Sequence, residues 1–166
     1  MTERQKQFLK NDLFYELRML LGASKMASLS SERKLGNLEN YFKDSAYLHI
    51  RNLYNFFSEC SIHDARVHEF VDCDFDLQLY KKWKGPLHNH VLHIKDTRTR
   101  ANNIKSGVHL NKMVQTFTED IKNLWQDWIE ATADKTEKEL LQSLLLKAQE
   151  QADDDYNNST LIIKER

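Results

Sequence analysis

The sequence predicts an all-α fold, an up-and-down bundle of about five main helices joined by short helical or loop connections. The chain has 166 residues with one proline and four glycines, which is few for a β-rich protein with its frequent turns. With 40% hydrophobic residues, a chain of this length is expected to form one hydrophobic core rather than two. We therefore assign residues 1–152 to a single helical domain and residues 153–166 to a C-terminal tail.

The first helix is predicted to run from Thr2 to about Ala27, because Thr2 and Gln5 stand at the spacing of a capping box. Apolar residues occupy more than half of its circumference, which is typical of a helix covered by its own domain and by a second subunit. The segment that follows is predicted to break the helix, with Ser31 as the N-cap of the next one.

The second helix, residues 35–57, is the central element of the prediction. On a wheel of about 100° per residue, one side of this helix carries an apolar arc that consists of Leu35, Leu38, Phe42, Ala46, Leu53 and Phe56. His49 falls inside the arc and is predicted to be a core residue hydrogen-bonded to a neighbour, or else a catalytic one. Arg51 projects to the opposite side, where it is either solvated or the partner of a phosphate.

The middle of the chain changes the sign of its charge. Residues 58–76 are acidic and are expected to form a connection with at most a short helix. Lysines then surround Trp83, and Gly85-Pro86 predicts a turn after which Pro86 opens a new helix. Residues 95–112 are the most basic stretch of the chain. Within it, residues 97–107 are compatible with a helix end, a loop or both.

The last two helices have clear patterns. From Asn111 to about Ala131, one stripe is predicted to be the core face, and it consists of Met113, Val114, Phe117, Ile121, Leu124, Trp125 and Trp128. Asp134 is predicted to cap the final helix, with Glu137 three residues on. The end of the chain, from Asp153, is expected to be a frayed tail or a short docking segment.

Composition limits the class of protein. The formal net charge of −1 argues against nucleic-acid binding by bulk attraction alone, although a local basic face is compatible with it. Cys60 and Cys73 have no C-x-x-C spacing and are expected to be reduced thiols. No signal sequence or membrane-length apolar run is recognised. We expect a cytoplasmic protein without a membrane partner.

A histidine cluster invites a metal hypothesis. His88, His90 and His93 have the spacing H-x-H-x-x-H, with acidic residues upstream, and imidazoles with carboxylates suit zinc, nickel or iron. On a helix, however, His88 and His90 point about 160° apart. We therefore expect no metal site and no cofactor.

A second group has the parts needed for phosphate chemistry. It consists of Arg98, Arg100, Asn102, Asn103 and His109. Arginine neutralises charge on a phosphate, asparagine positions oxygen atoms and histidine transfers a proton. Together they could cleave RNA by attack of its own 2′-hydroxyl. The alternative is an ordinary basic surface loop.

The pattern HIRNLYNFF in a long second helix, with a polar Asn-to-His segment before a Trp-containing helix, resembles proteins of the HEPN superfamily. The resemblance implies a helical bundle, commonly dimeric, that acts as a metal-independent RNase of a toxin or phage-defence system or as a nucleotide or RNA binder. It implies catalytic roles for Arg100 and His109, which eight residues separate here instead of the family's four to six. Arg51, Arg98, Asn102, Asn103 and Lys105 would bind RNA or phosphate.

Two hypotheses follow from these patterns. The first is a HEPN-like RNA-binding protein or metal-independent endoribonuclease, with RNA or a nucleotide as its partner. The second is a non-enzymatic module that forms a homodimer through the apolar surface of the first helix.

Overall fold

The computed structural model describes residues 1–35, 37–58, 65–88 and 113–164. All regular structure in these residues is helical, so the all-α prediction is confirmed. The α-helices are α1 (Glu3–Phe8), α2 (Phe14–Glu32), α3 (Asn37–Phe57), α4 (Gln78–Pro86), α5 (Val114–Ala131) and α6 (Lys135–Lys164). A π-helical turn, Leu9–Leu13, joins α1 to α2, and a 3₁₀ turn, Val67–Glu69, precedes α4.

The start of the first helix follows the prediction. The Thr2 hydroxyl accepts a hydrogen bond from the Gln5 amide at 3.2 Å, and the Gln5 side chain accepts one from the Thr2 amide at 2.7 Å. This capping box satisfies two of the amide groups that a helix start leaves without a partner. The π turn was not predicted, because its signal is not distinguishable from ordinary helical periodicity.

The break after the first helix lies later than predicted. Ser31 is inside α2 and is not the N-cap of α3. The helix ends in a Schellman arrangement, in which the Leu35 amide donates to the Ser30 carbonyl at 2.9 Å and the Lys34 amide donates to the Ser31 carbonyl at 3.1 Å. Lys34 has φ 55°, in the left-handed region where glycine is usual. Because a lysine occupies this position, the sequence lacks the glycine that usually predicts the end of a helix.

Helix α3 lies at the centre of the fold. It packs most extensively against α2 and also against α5. Ala46, Leu53 and Phe56 are buried as predicted, but Leu38 is 48% exposed. Burial also extends beyond the predicted arc, to Tyr47, Ile50, Tyr54 and Phe57, because helices cover α3 on more than one side.

The two C-terminal helices confirm the sequence pattern. The predicted stripe of α5 is buried from Val114 to Trp128, with Met113 partly buried. The Asp134 carboxylate accepts a hydrogen bond from the Glu137 amide at 2.9 Å at the start of α6. Helix α6 packs along α2 and continues through the segment assigned as a tail, as far as Lys164.

Two ion pairs link that distal part of α6 to α2. Lys25 pairs with Asp153, and the Arg18 guanidinium lies 3.7 Å from the Asp155 carboxylate. Ala152 is fully buried beside them. Residues 153–155 are therefore in contact with the bundle, which fits the docking alternative better than a frayed end. The boundary at residue 152 stays a prediction.

The expected turn at Gly85-Pro86 is wrong. Helix α4 includes both residues, and Leu87 keeps helical backbone angles after Pro86. Tyr80 and Leu87 are buried seven residues apart on one face. Their shared burial favours a helical path through the proline, although Pro86 provides no amide hydrogen.

The apolar surface of the first helix is covered mainly from within the chain. Leu9, Leu13, Leu17, Leu20 and Leu21 are all buried in the core. A homodimer through this helix therefore stays a prediction that this packing does not require. Among the residues that the structure describes, no helix combines the length and apolarity needed to cross a membrane.

We expect Lys34→Gly to raise the free energy of unfolding by about 0.5–1 kcal/mol, because glycine relieves the left-handed strain but is more flexible when unfolded. Urea denaturation measures the change. Arg33→Gly is the matched control, since Arg33 has φ −87° and gains nothing from glycine. Equal destabilisation by both variants would contradict the assignment of strain to Lys34.

Candidate nucleic-acid interface

Of the RNA site predicted from the sequence, the structure describes only Arg51. The other predicted members of the site lie outside the described residues. These members are Arg98, Arg100, Asn102, Asn103, Lys105 and His109. Their convergence with Arg51 stays a prediction.

Arg51 is partly buried on α3. Its Nε is inaccessible to solvent and has no hydrogen-bond partner among the described residues. By helical periodicity, Asn55 and Ser58 lie on the same face of α3 within about two turns. This face of the helix therefore carries the partly buried guanidinium of Arg51, whose Nε–H group is enclosed by the protein.

His49 lies on the opposite side of α3 and is 4% exposed. Its Nδ1 is 2.7 Å from the Glu16 carboxylate, which also accepts a hydrogen bond from Asn52 at 3.1 Å. The Tyr15 ring packs edge-on against the imidazole, with 5.8 Å between ring centroids. The interpretation of His49 as a hydrogen-bonded core residue is confirmed.

Tyr80 attaches α4 to the face of α3 that carries Asn55. Its hydroxyl donates to the Asn55 side-chain oxygen at 2.9 Å and lies 3.2 Å from His88 Nε2. Its ring stacks on Tyr54 with centroids 4.7 Å apart. These contacts fix the position of α4 and of His88, the last described residue before the basic stretch.

Tyr54 extends this contact to α5. Its hydroxyl donates to the Asp120 carboxylate at 2.6 Å. Burial raises the pKa of Asp120, and the nearby Asp76 and Asp127 raise it further, while the hydrogen bond from Tyr54 opposes them. Burial is also the main cause that raises the pKa of Tyr54, so this tyrosine stays protonated and acts as a donor.

A cleft opens between the end of α3, the segment around the 3₁₀ turn and α4. We call it the α4 cleft. It has a volume of about 450 Å³ and is lined by Phe57, Ser58, His68, Asp74, Phe75, Leu77, Tyr80, Lys81 and Lys84. Phe57 and Tyr80 are each only 1% exposed, so the rings that a ligand can reach are those of His68 and Phe75. The lysines offer positive charge to an anion.

The lysines of the α4 cleft come from one face of a short helix. Lys81 and Lys84 are three residues apart and both are exposed. The Lys84 ammonium lies 5.8 Å from the centroid of the Tyr80 ring. Asp74 is the acidic residue in the lining, so the described lining carries a net positive charge.

Sequence reasoning found part of this cleft. The lysines around Trp83 were visible as a change of sign, but His68 and Phe75 lie in the segment predicted to be an acidic connection. The alternation of Cys73, Phe75 and Leu77, each partly buried between exposed neighbours, was the signal that could have placed Phe75 against the core.

The metal hypothesis receives no geometric support. Among the described residues, no three His, Cys, Asp or Glu side chains lie close enough to hold a metal ion. His90, His93 and His109 are outside those residues. His88 is instead near the Tyr80 hydroxyl.

Comparisons with protein-family models, curated proteins and solved structures gave no match for this chain. The resemblance to the HEPN superfamily therefore stays a prediction.

We expect the free energy of unfolding of Asp120→Asn to increase relative to that of the wild type as the pH rises from about 4 to about 7. When the carboxyl is protonated in both the folded and the unfolded state, it does not lower the free energy of unfolding. As the pH rises through the raised pKa of the folded state, the carboxyl ionises in its buried position and lowers the free energy of unfolding. Urea denaturation across this pH range measures the difference. The exposed Asp154→Asn is the control, and a shrinking advantage of Asp120→Asn would contradict the assignment.

Proposed function

We propose that the chain binds single-stranded RNA or a nucleotide in the α4 cleft, as a HEPN-like RNA-binding protein or metal-independent endoribonuclease. The observation that carries the proposal is the combination of aromatic rings and lysines around one cleft of about 450 Å³. This volume is in the usual range for small-molecule and cofactor sites.

The two kinds of side chain match the two parts of a nucleotide. The partly exposed ring of Phe75 and the exposed imidazole of His68 provide surfaces on which a base can stack, an interaction that tolerates any sequence. Lys81 and Lys84 provide the charge that a phosphate needs.

Arg51 extends this proposal beyond the cleft. It shares its face of α3 with Ser58 and is partly exposed. A guanidinium binds a phosphate with directed hydrogen bonds. We assign it to the adjoining phosphate of a bound strand.

The catalytic part of the proposal rests on the residues beyond His88. Arg100 would stabilise the charge that develops on the phosphate, and His109 would transfer the proton during attack by the 2′-hydroxyl. Arg98, Asn102, Asn103 and Lys105 would hold the RNA, as the family resemblance implies. This reaction uses no metal or other cofactor.

We expect the double substitution Lys81→Ala and Lys84→Ala to weaken binding of a single-stranded RNA and to reduce the salt dependence of the affinity. The slope of log K against log salt should fall by about 0.7 for each lysine that contacts a phosphate. Fluorescence anisotropy at several salt concentrations measures both effects.

The control is Lys135→Ala with Lys138→Ala, because these lysines have the same three-residue spacing at the start of α6. The control should bind RNA like the wild type. Equal losses in both variants would mean that only overall charge matters, and this would contradict a site in the α4 cleft.

We expect the purified protein to cleave single-stranded RNA in the presence of EDTA and His109→Ala to abolish cleavage while RNA binding persists. Arg100→Ala should also reduce cleavage. Gel analysis of labelled RNA measures the products. Wild-type protein that binds RNA but leaves it intact would restrict the function to binding, and protein that neither binds nor cleaves would contradict the whole proposal.

One observation favours the second candidate, a non-enzymatic dimeric interaction or regulatory module. Leu38, Tyr41 and Leu48 are 48%, 69% and 41% exposed, and their spacing places them along one side of α3. An exposed apolar strip of this kind is typical of interaction surfaces. The interface of such a module would therefore lie on α3 rather than on the first helix.

A further inference from the structure

The π-helical turn Leu9–Leu13 forms one wall of a second cavity, which α3 lines with Asn52, Asn55 and Phe56. The cavity has a volume of about 450 Å³. We call it the π-turn cavity, and its lining consists of Phe8, Asn11, Asp12, Leu13, Tyr15, Glu16, Asn52, Asn55, Phe56 and Ala65. Isolated π turns inside longer helices occur frequently at functional sites.

The charge of this lining is negative. Asp12 and Glu16 are its two ionisable carboxylates, and the described lining contains no lysine, arginine or histidine. Such a lining repels anions and attracts cations. The π-turn cavity thus has the opposite preference to the α4 cleft.

The hydrogen bonds leave acceptors available to a ligand. His49 Nδ1 and Asn52 Nδ2 both contact Oε2 of Glu16, so neither of these bonds uses Oε1. No hydrogen bond or ion pair to Asp12 is formed by a described residue. Asn52 contributes its side-chain oxygen as a further acceptor, because its amide nitrogen is the atom that donates to Glu16.

Glu16 is also fixed in position before any ligand binds. His49 is almost completely buried, and together with Asn52 it orients the carboxylate. Preorganised acceptors of this kind reduce the ordering that binding requires. The Phe8 and Tyr15 rings in the same lining can stabilise a cation through their faces.

We propose that the π-turn cavity binds a small organic cation that carries an ammonium or guanidinium group. Asp12 and Glu16 accept its N–H groups, Asn52 adds a neutral acceptor, and the aromatic residues contact its carbon chain. This site is separate from the proposed RNA site and does not depend on it.

The test is isothermal titration calorimetry of the full chain with agmatine, which has one guanidinium and one ammonium group, and with succinate as an anionic probe. We expect agmatine to bind, Asp12→Asn to weaken its affinity by about tenfold or more, and succinate not to bind. Asp12 is exposed, so its substitution leaves the core intact.

The matched control is Asp154→Asn on α6, which removes one exposed carboxylate far along the chain and should leave agmatine affinity unchanged. The imidazole signals of His49 in NMR spectra should shift with agmatine, because its partner Glu16 lines the site. The Lys81→Ala, Lys84→Ala protein should bind agmatine normally, which separates this proposal from the RNA proposal.

Three results would overturn the inference. They are absence of agmatine binding by the folded wild type, equal affinity in Asp12→Asn and the wild type, and binding of succinate as strong as that of agmatine. Binding of Mg²⁺ or Ca²⁺ that displaces agmatine would reassign the carboxylates to a metal ion.

Discussion

The packing of α2 against α3 is the contact on which the rest of the structure depends. It buries the leucines of α2 and one side of α3, while an aromatic cluster covers the end of α3. Trp128 lies 5.3 Å from Phe56, 6.2 Å from Phe57 and 5.6 Å from Phe70 between ring centroids. Each such pair contributes about 0.5–1.5 kcal/mol beyond the burial of area.

The burial of α3 explains why several of its polar side chains have specific partners. A buried polar group without a hydrogen bond is costly, and His49, Tyr54 and Asn55 each have one. These partners come from different helices, so the polar contacts also fix how the helices meet. The same arrangement leaves a cleft on each of two sides of α3.

The two clefts differ in charge because they are built from different segments. The α4 cleft draws lysines from a short basic helix, whereas the π-turn cavity draws carboxylates from the turn of α2. Asn55 touches both, since it lines the π-turn cavity and accepts a hydrogen bond from Tyr80 in the α4 cleft. This residue provides a direct contact between the two sites.

Local features of the fold could be predicted from the sequence. The capping box at Thr2, the cap at Asp134 and the apolar stripe of α5 depend on residues within a few positions of each other. The end of α2 was misplaced because Lys34 holds a left-handed conformation that normally signals glycine. Leu38 was predicted to be buried but is exposed, because periodicity identifies an apolar face and does not show which element covers it.

The candidate sites depended on contacts that spacing does not reveal. Glu16 and His49 are 33 residues apart, and Tyr54 and Asp120 are 66 apart. The α4 cleft combines α3, the segment after the 3₁₀ turn and α4. Arg51 could be singled out from its place on the helix, whereas the cleft itself became visible only with the position of α4.

The central claim is that RNA binds in the α4 cleft, and NMR chemical-shift mapping with a short single-stranded RNA tests it most directly. The account predicts that the shifts concentrate on the amides of His68, Phe75, Lys81 and Lys84 and leave Asn11 and Asp12 unaffected. Shifts centred on the π-turn cavity, or none at saturating RNA, would contradict it.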